Sequence, residues 1–142
     1  MRYSLVRHQQ TCSSEIRMQG GNQKLILNSK KCMKLGTILH ELMHSLGFYH
    51  EQSRYDRDRY IIVHWDNINT EKIQNFEKKG EFTTRFGEND YDSIMNYSSY
   101  GFTQKGNCPI EAKRQHEIGQ RKGLSQTDIY GLWLAYGEKS EY

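Results

Sequence analysis

The sequence lacks the segments that commonly separate domains or anchor a chain in a membrane. It has one proline, Pro109, and no repeated, low-complexity or proline-rich stretch. No apolar run approaches the roughly 20 residues that a membrane-spanning helix needs. The residues after Met1 have no apolar core typical of a signal peptide, so we expect either that export information lies outside this sequence or that the chain is a fragment. We expect residues 1–142 to form a single domain with no membrane partner.

A strong charge imbalance is also absent. Lys and Arg outnumber Asp and Glu by only 20 to 17, and no finger, RNP-like or basic-helix pattern accompanies them. The sequence therefore predicts no nucleic-acid partner, and it indicates no particular oligomeric state. With 35% hydrophobic residues and 12% aromatics, the composition predicts a globular fold with a modest core.

Cysteine is scarce, and its number is odd. A bridge between Cys12 and Cys32 would close a modest loop, whereas Cys108 would then have no partner. Composition alone leaves open the alternative that all three are reduced thiols of a cytosolic protein.

Hydrophobic periodicity predicts a helix from about Lys34 to Leu46 and a second helix over Gln126 to Tyr136. Ser125 and Asp128 have the spacing of a capping box at the start of the second helix, which we expect to be amphipathic. Short strands are predicted over residues 3–6, 23–28 and 60–63, and a short helix over residues 69–78.

The segment from His40 to His50 carries the clearest chemistry. His40 and His44 fall only about 40° apart around a helix, so both imidazoles can reach one ion. Glu41 lies beside them, where it can contact a metal-bound water as a general base without ligating the metal. Gly47 can adopt positive φ, end the helix and return His50 towards the ion. The apolar side of the helix is expected to pack on the core and the histidine side to stay open.

Three imidazoles leave a zinc ion one open position, which is typical of a catalytic site. A bare HExxH pattern arises by chance, but the extended HExxHxxGxxH pattern found here fixes five positions in eleven. A closed structural zinc site is the weaker alternative, because no cysteine ligands lie nearby.

The residues around this motif resemble the astacin family of metzincin zinc endopeptidases. After the motif, the stretch Tyr91-Asp92-Ser93-Ile94-Met95-Asn96-Tyr97 is similar to the family's Met-turn. The remaining similar positions are residues 36–38, 48, 51–54, 56–58, 60, 65, 67, 68, 75, 76, 118–121 and 123–125. The resemblance runs nearly end to end.

The resemblance implies an α+β, zincin-like fold with three parts: an active-site helix, part of a twisted sheet, and a mostly irregular C-terminal subdomain ending in a helix. It implies one catalytic Zn²⁺ held by His40, His44 and His50, with Glu41 as the general base. Tyr97 would be an additional metal ligand that turns to stabilise the transition state, and Met95 would lie beneath the metal. The implied substrate is a peptide or protein.

Further expectations follow from the same resemblance. Cys12 and Cys32 would form the family's shorter disulfide, which places the protein outside the cell. Substrate would pair as an added strand along residues 23–28, although an ordinary edge strand is an equal interpretation. Lys113 or Arg114 would match an acidic substrate residue.

The chain also departs from the family pattern. Asn96 stands where relatives commonly have His, and the segment that usually precedes Tyr3 is not found in this sequence. Glu51, whose partner in relatives is a buried amino terminus, is expected to be unpaired. These departures keep open the alternative of a catalytically weak or inactive relic that binds zinc and peptide.

Overall fold

The computed structural model describes residues 2–6, 11–17, 19–81, 86–104 and 106–137. They divide into two compact units: one is built from the described residues up to 49 with 121–123, and the other from the described residues of 50–120 with 124–137. Helices and short strands occur in one chain, so the expected α+β class is confirmed. The assignment of residues 1–142 to a single protease domain stays a prediction.

The first unit contains a three-stranded sheet with the order β1-β3-β2. Its strands are β1 (Arg2–Val6), β2 (Cys12–Ser14) and β3 (Asn22–Leu27). Strand β1 runs parallel to β3, and β2 runs antiparallel to it. Strand β3 is therefore the central strand. The interpretation of residues 23–28 as a free edge that receives substrate is wrong, because β2 occupies part of that edge.

Buried and exposed residues alternate along β3, and the buried ones form the core of the first unit. Leu25 and Leu27 are buried on one face and form a cluster with Cys32, on which Ile38 and Leu42 of the active-site helix pack. Cys32 forms a disulfide with Cys12 of β2, with the two Cα atoms 5.9 Å apart. The disulfide therefore joins the edge strand to the loop that precedes the helix.

The active-site helix, α1, spans Leu35–Ser45, inside the predicted bounds. The chain turns away from the helix at Gly47, which has φ +98°. The amide of Gly47 donates to the carbonyl of His44 (2.8 Å), and the amide of Phe48 donates to that of Met43 (3.1 Å). This is a Schellman ending, in which glycine avoids the Cβ clash of a left-handed residue. The predicted helix stop is confirmed.

The second unit has little regular structure. A two-stranded antiparallel sheet joins β4 (Ile61–Val63) to β5 (Ile110–Ala112), and 3-10 turns cover residues 51–53, 57–59, 65–67 and 70–76. The predicted helix at 69–78 is thus a shorter 3-10 helix. The core of this unit consists of Ile61, Ile68, Phe76, Ile110 and Ile118.

The last helix, α2, spans Gln126–Tyr136 and begins with the predicted capping box. The hydroxyl of Ser125 accepts from the amide of Asp128, whose carboxylate accepts from the amide of Ser125 (2.9 Å each). The expected amphipathic character is wrong, because Ile129 and Trp133, two of the apolar residues at helical intervals, are 47% and 61% exposed. The helix is fixed through its first turn, where Asp128 is buried.

Among the described residues, no helix combines the length and the apolar character required to cross a membrane.

Candidate metal centre

The structure brings the three predicted ligands together. One ring nitrogen from each of His40, His44 and His50 lies within 4.8 Å of the other two. His40 and His44 come from successive turns of α1, and their rings are 4.7 Å apart at an interplanar angle of 84°. His50 follows three residues after the Schellman ending of the helix. The local geometry predicted from the spacing of this motif is therefore present.

The His44 ring is prepared to act as a neutral ligand. Its Nδ1 lies 2.8 Å from the carbonyl oxygen of Phe48. A carbonyl can only accept, so Nδ1 carries the proton and Nε2 keeps its lone pair. Burial lowers the pKa of His44, the bond to Phe48 opposes this, and the charge of Arg121 lowers the pKa further. A neutral imidazole oriented through its second nitrogen is the usual form of a metal-bound histidine.

Glu41 lies on the same helix and is only 6% exposed. Burial raises the pKa of its carboxyl group to about 7, with the positive charge of Arg121 acting in the opposite direction. A nearby dication would favour the carboxylate form and lower this pKa. A general base needs a pKa near the working pH, and the role of Glu41 as such a base stays a prediction.

The histidine side of α1 is not open, contrary to the expectation from sequence. His40, Glu41 and His44 are 7%, 6% and 6% exposed, whereas Ile38 and Leu42 on the apolar side are only half-buried. The N–H of Arg17 donates to the carbonyl of His44 (2.9 Å), so the loop before β3 packs against this part of the helix.

The first turn of α1 is covered by the returning segment 121–123. A Cβ built on Gly36 would overlap the backbone of Arg121, so only glycine permits this approach. The same approach brings the charge of Arg121 close enough to act on Glu41 and His44. The sequence contained Gly36 as part of a motif but gave no sign of this contact.

In the second unit, Tyr97 lies next to His50. Their ring centroids are 4.3 Å apart, and the planes are inclined by 54°. Tyr97 also makes edge-to-face contacts with Phe76 (5.8 Å) and Phe102 (5.0 Å). The structure therefore places the predicted tyrosine beside the third predicted ligand.

The Met-turn around Met95 is buried, and a hydrogen bond joins it to Glu51, the residue after His50. Met95 is 2% exposed, and its carbonyl accepts from the amide of Glu51 (3.2 Å). The side-chain amide of Asn96 donates to the carbonyls of Asp90 (2.6 Å) and Tyr91 (3.1 Å). The asparagine that replaces the usual histidine thus holds the loop that leads into the turn.

Glu51 is not unpaired, so the expectation from sequence is wrong. Its carboxylate accepts from the side chain of Asn89 (3.1 Å) and the amide of Asp90 (3.3 Å), and Arg54 lies 3.6 Å away. Burial raises its pKa to about 7, and Arg54 opposes that change. Neutral donors and a nearby guanidinium compensate much of the cost of its burial.

Lys113, one of the two residues expected to match an acidic substrate, donates through Nζ to the carbonyl of Asp58 (2.5 Å). Arg114 is exposed. Their role towards substrate stays a prediction.

The donor set fits zinc. Imidazole nitrogens suit zinc, and three of them leave the fourth coordination position of a tetrahedral zinc ion to water or substrate, as in catalytic zinc sites. The convergence of the nitrogens and the fixed tautomer of His44 support this fit.

Similar proteins of known family point to the same kind of metal centre. The model of the astacin peptidase family matches residues 2–137. Embryonic protein UVS.2 of Xenopus laevis is 48% identical over 121 residues, which are 83% of this chain and 23% of that protein. Zinc metalloproteinase nas-15 of Caenorhabditis elegans is 43% identical over 129 residues, covering 89% and 22% of the two chains.

A solved structure shows the same architecture. High choriolytic enzyme 1, a hatching-enzyme zinc-protease of the fish Oryzias latipes, superposes with a TM-score of 0.89 at 39% identity, covering 94% of this chain and 68% of that one. The fold and the histidine cluster are of the zinc-metalloprotease type. The chain belongs to the astacin family. It spans about a quarter of the length of the two curated relatives.

Proposed function

We propose that this chain carries the catalytic centre of a zinc-dependent endopeptidase, with His40, His44 and His50 as the metal ligands and Glu41 as the general base. The observation that carries the proposal is the convergence of the three ring nitrogens within 4.8 Å, with Glu41 buried beside two of them. The names of the astacin relatives support the same reaction class.

The zinc ion, when bound, supplies the positive charge that acidifies water and polarises the scissile carbonyl. Glu41 removes one proton from the attacking water as the new carbon–oxygen bond forms. It then delivers that proton to the amide nitrogen as the carbon–nitrogen bond breaks. Water is thus added across the peptide bond, and Glu41 returns to its starting state.

Tyr97 is proposed to act on the oxygen of the scissile carbonyl. Its ring is held beside that of His50, and a phenol in this position can donate a hydrogen bond to a developing oxyanion. Removing one such donor typically lowers kcat by about two to three orders of magnitude. Tyr97 would also serve as a further metal ligand when substrate is absent.

The substrate is proposed to be a peptide or protein that binds in an extended form. Because β3 is the central strand, the partner for added-strand pairing would be β2, whose outer side has no strand partner among the described residues. We further propose that the protein acts outside the cell, supported by the Cys12–Cys32 disulfide.

The test compares wild type with Glu41→Gln, using Glu15→Gln as a matched control. Glu15 is exposed, and its carboxylate accepts from the amide of Lys24 (3.2 Å). We expect one zinc per chain in all three proteins by elemental analysis. Cleavage of a fluorogenic peptide should be lost only in Glu41→Gln and should be sensitive to a chelator in the others.

Equal residual rates in wild type and Glu41→Gln would identify the alternative, a zinc-binding relic with little catalysis. Loss of zinc in Glu41→Gln would instead show that this carboxylate ligates the metal, and the assigned role of general base would be wrong.

A further inference from the structure

We infer that Phe102 is a positioning residue that holds the ring of Tyr97 in its place beside His50. The inference rests on the proposed function only through the catalytic role given to Tyr97. The physical claim about the two rings stands apart from it.

The backbone of Phe102 is in an unusual conformation. Its φ is +59°, and only one other described non-glycine residue, Arg17, has positive φ. A side chain with a Cβ atom is disfavoured in this left-handed region, particularly when the side chain is bulky. Such a conformation persists only when surrounding contacts impose it.

Three backbone contacts impose it here. The carbonyl of Phe102 accepts from the amide of Asn69 (3.0 Å), and the next residue, Thr103, forms a bridge with Ile68. On the other side, the amide of Gly101 donates to the carbonyl of Ser98 (2.8 Å). The turn after Tyr97 is thereby closed, and Phe102 is directed back towards the tyrosine.

The turn is tight at Gly101. A Cβ on Gly101 would lie 3.1 Å from the carbonyl oxygen of Ser98 and 3.4 Å from the Cβ of Tyr97. The backbone of the turn therefore packs directly on the base of the tyrosine side chain, and Phe102 packs on its ring.

The side-chain contacts form a closed set of rings. Phe102 meets Tyr97 edge-to-face at 5.0 Å and Phe76 at 6.4 Å, and Phe76 meets Tyr97 at 5.8 Å. Such pairs have preferred orientations, so they restrict the tilt of a ring as well as its distance. Tyr97 is held by two phenylalanines while it contacts His50.

Core burial alone does not account for Phe102. Phe76 is fully buried, whereas Phe102 remains 40% exposed. A leucine or a turn-forming polar residue at position 102 would avoid exposing an aromatic ring, and Asn would relieve the backbone strain. The residue instead combines strain and exposure with an oriented contact on Tyr97, which is the contact that a positioning role requires.

The test uses substitutions that separate the ring from the backbone. Phe102→Asn removes the ring but tolerates positive φ, and Phe102→Tyr keeps the ring. Phe102→Leu keeps apolar bulk without an aromatic edge and replaces the Asn variant if that variant fails to fold. Tyr100→Asn, a change at a 63% exposed aromatic in the same turn, is the matched control.

The direct readout is the ring-proton shift of Tyr97 in metal-free protein with ¹³C-labelled tyrosine, assigned by its loss in Tyr97→Phe. We expect the shift to move in Phe102→Asn and Phe102→Leu and to stay near the wild-type value in Phe102→Tyr and Tyr100→Asn. In the zinc-loaded protein, Phe102→Asn should lower kcat about fivefold, the equivalent of one aromatic pair. KM and zinc content should change little, and the Tm should not fall.

An unchanged Tyr97 shift in both Phe102→Asn and Phe102→Leu would overturn the inference whatever the activity. So would a loss of kcat that merely follows a loss of folded protein. If Tyr97→Phe is fully active, the catalytic role proposed for Tyr97 fails, but the shift experiment still decides whether Phe102 fixes the tyrosine ring.

Discussion

Asp128 connects the first turn of α2 to the Met-turn, and its removal gives the sharpest stability prediction. Its Oδ1 accepts from the hydroxyl of Ser93 (2.7 Å), and its Oδ2 accepts from the amides of Ile94 (2.9 Å) and Ser125 (2.9 Å). The side chain is 6% exposed, so water cannot readily replace these bonds. We predict that Asp128→Ala strongly destabilises the fold and that Asp128→Asn does so mildly.

The difference follows from the donors. In Asp128→Ala, the buried amide of Ile94, the partly buried amide of Ser125 and one hydroxyl lose their acceptor, at about 1–3 kcal/mol for each amide left unsatisfied. The helix also loses an acidic residue in its first turn, worth several tenths of a kcal/mol. The sum is about 4 kcal/mol, or a fall in Tm of about 12 °C for a chain of this size.

Asp128→Asn keeps one oxygen for the two amides. The NH₂ group of the new asparagine side chain replaces Oδ1 beside the Ser93 hydroxyl. That hydroxyl can rotate and accept a hydrogen bond from the NH₂ group instead of donating one. Only the additional strength of hydrogen bonds to a charged acceptor is lost, at about 1 kcal/mol.

The assay is urea unfolding followed by tryptophan fluorescence and circular dichroism, at one fixed zinc concentration because metal binding adds to stability. Comparable m-values are required before the free energies of unfolding are compared. If Asp128→Ala and Asp128→Asn were equally stable, or if alanine cost under about 1 kcal/mol, the acceptor role of this carboxylate would be refuted.

Three other predictions use the same assay. Gly119→Ala should lower the free energy of unfolding by more than about 3 kcal/mol, because φ is +87° and the new Cβ would overlap a neighbouring backbone. Gly106→Ala, at φ +76° with open space around it, should lower it by only about 1 kcal/mol, and equal losses would disprove the overlap. Replacing Cys12 and Cys32 together by serine should cost about 3 kcal/mol through the loop they close, and no change would show that the bond is not formed. Arg57→Met should cost about 2–4 kcal/mol, because the buried guanidinium donates to two backbone carbonyls, and a neutral result would mean that these bonds add nothing.

The parts of the structure predicted from sequence are those fixed by local rules. The bounds of α1 and its ending at Gly47 follow from periodicity and from one glycine that can take positive φ. The capping box of α2 is equally local. For the same reason the histidine motif gave the local geometry of the metal centre, since its spacing lies within one helix and one turn.

The features that were missed depend on distant parts of the chain. Strands β2 and β5 have three residues each, too few to show alternation, and β2 becomes visible only through its pairing with β3. The histidine side of α1 was expected to be open, but its cover includes Arg17, far away in sequence. The exposed apolar residues of α2 show that periodicity indicates a helix without showing which face is buried.

The second unit was the least predictable. The register of Tyr97 followed from its motif, but nothing distinguished Phe102 from the other aromatic residues until its positive φ and its contact with Tyr97 were seen. Likewise, Glu51 was expected to be unpaired because its partner in relatives is a buried amino terminus. The groups that donate to it, on Asn89 and Asp90, are far from it in sequence and were not foreseen.

The central claim is that three imidazoles bind the zinc ion and that Glu41 does not. X-ray absorption at the zinc edge tests it directly on wild type and Glu41→Gln. The account predicts three histidine nitrogens at about 2.0–2.1 Å in both proteins, with an unchanged first coordination sphere. Fewer than three imidazoles in the wild type, or a carboxylate oxygen that disappears in Glu41→Gln, would contradict it.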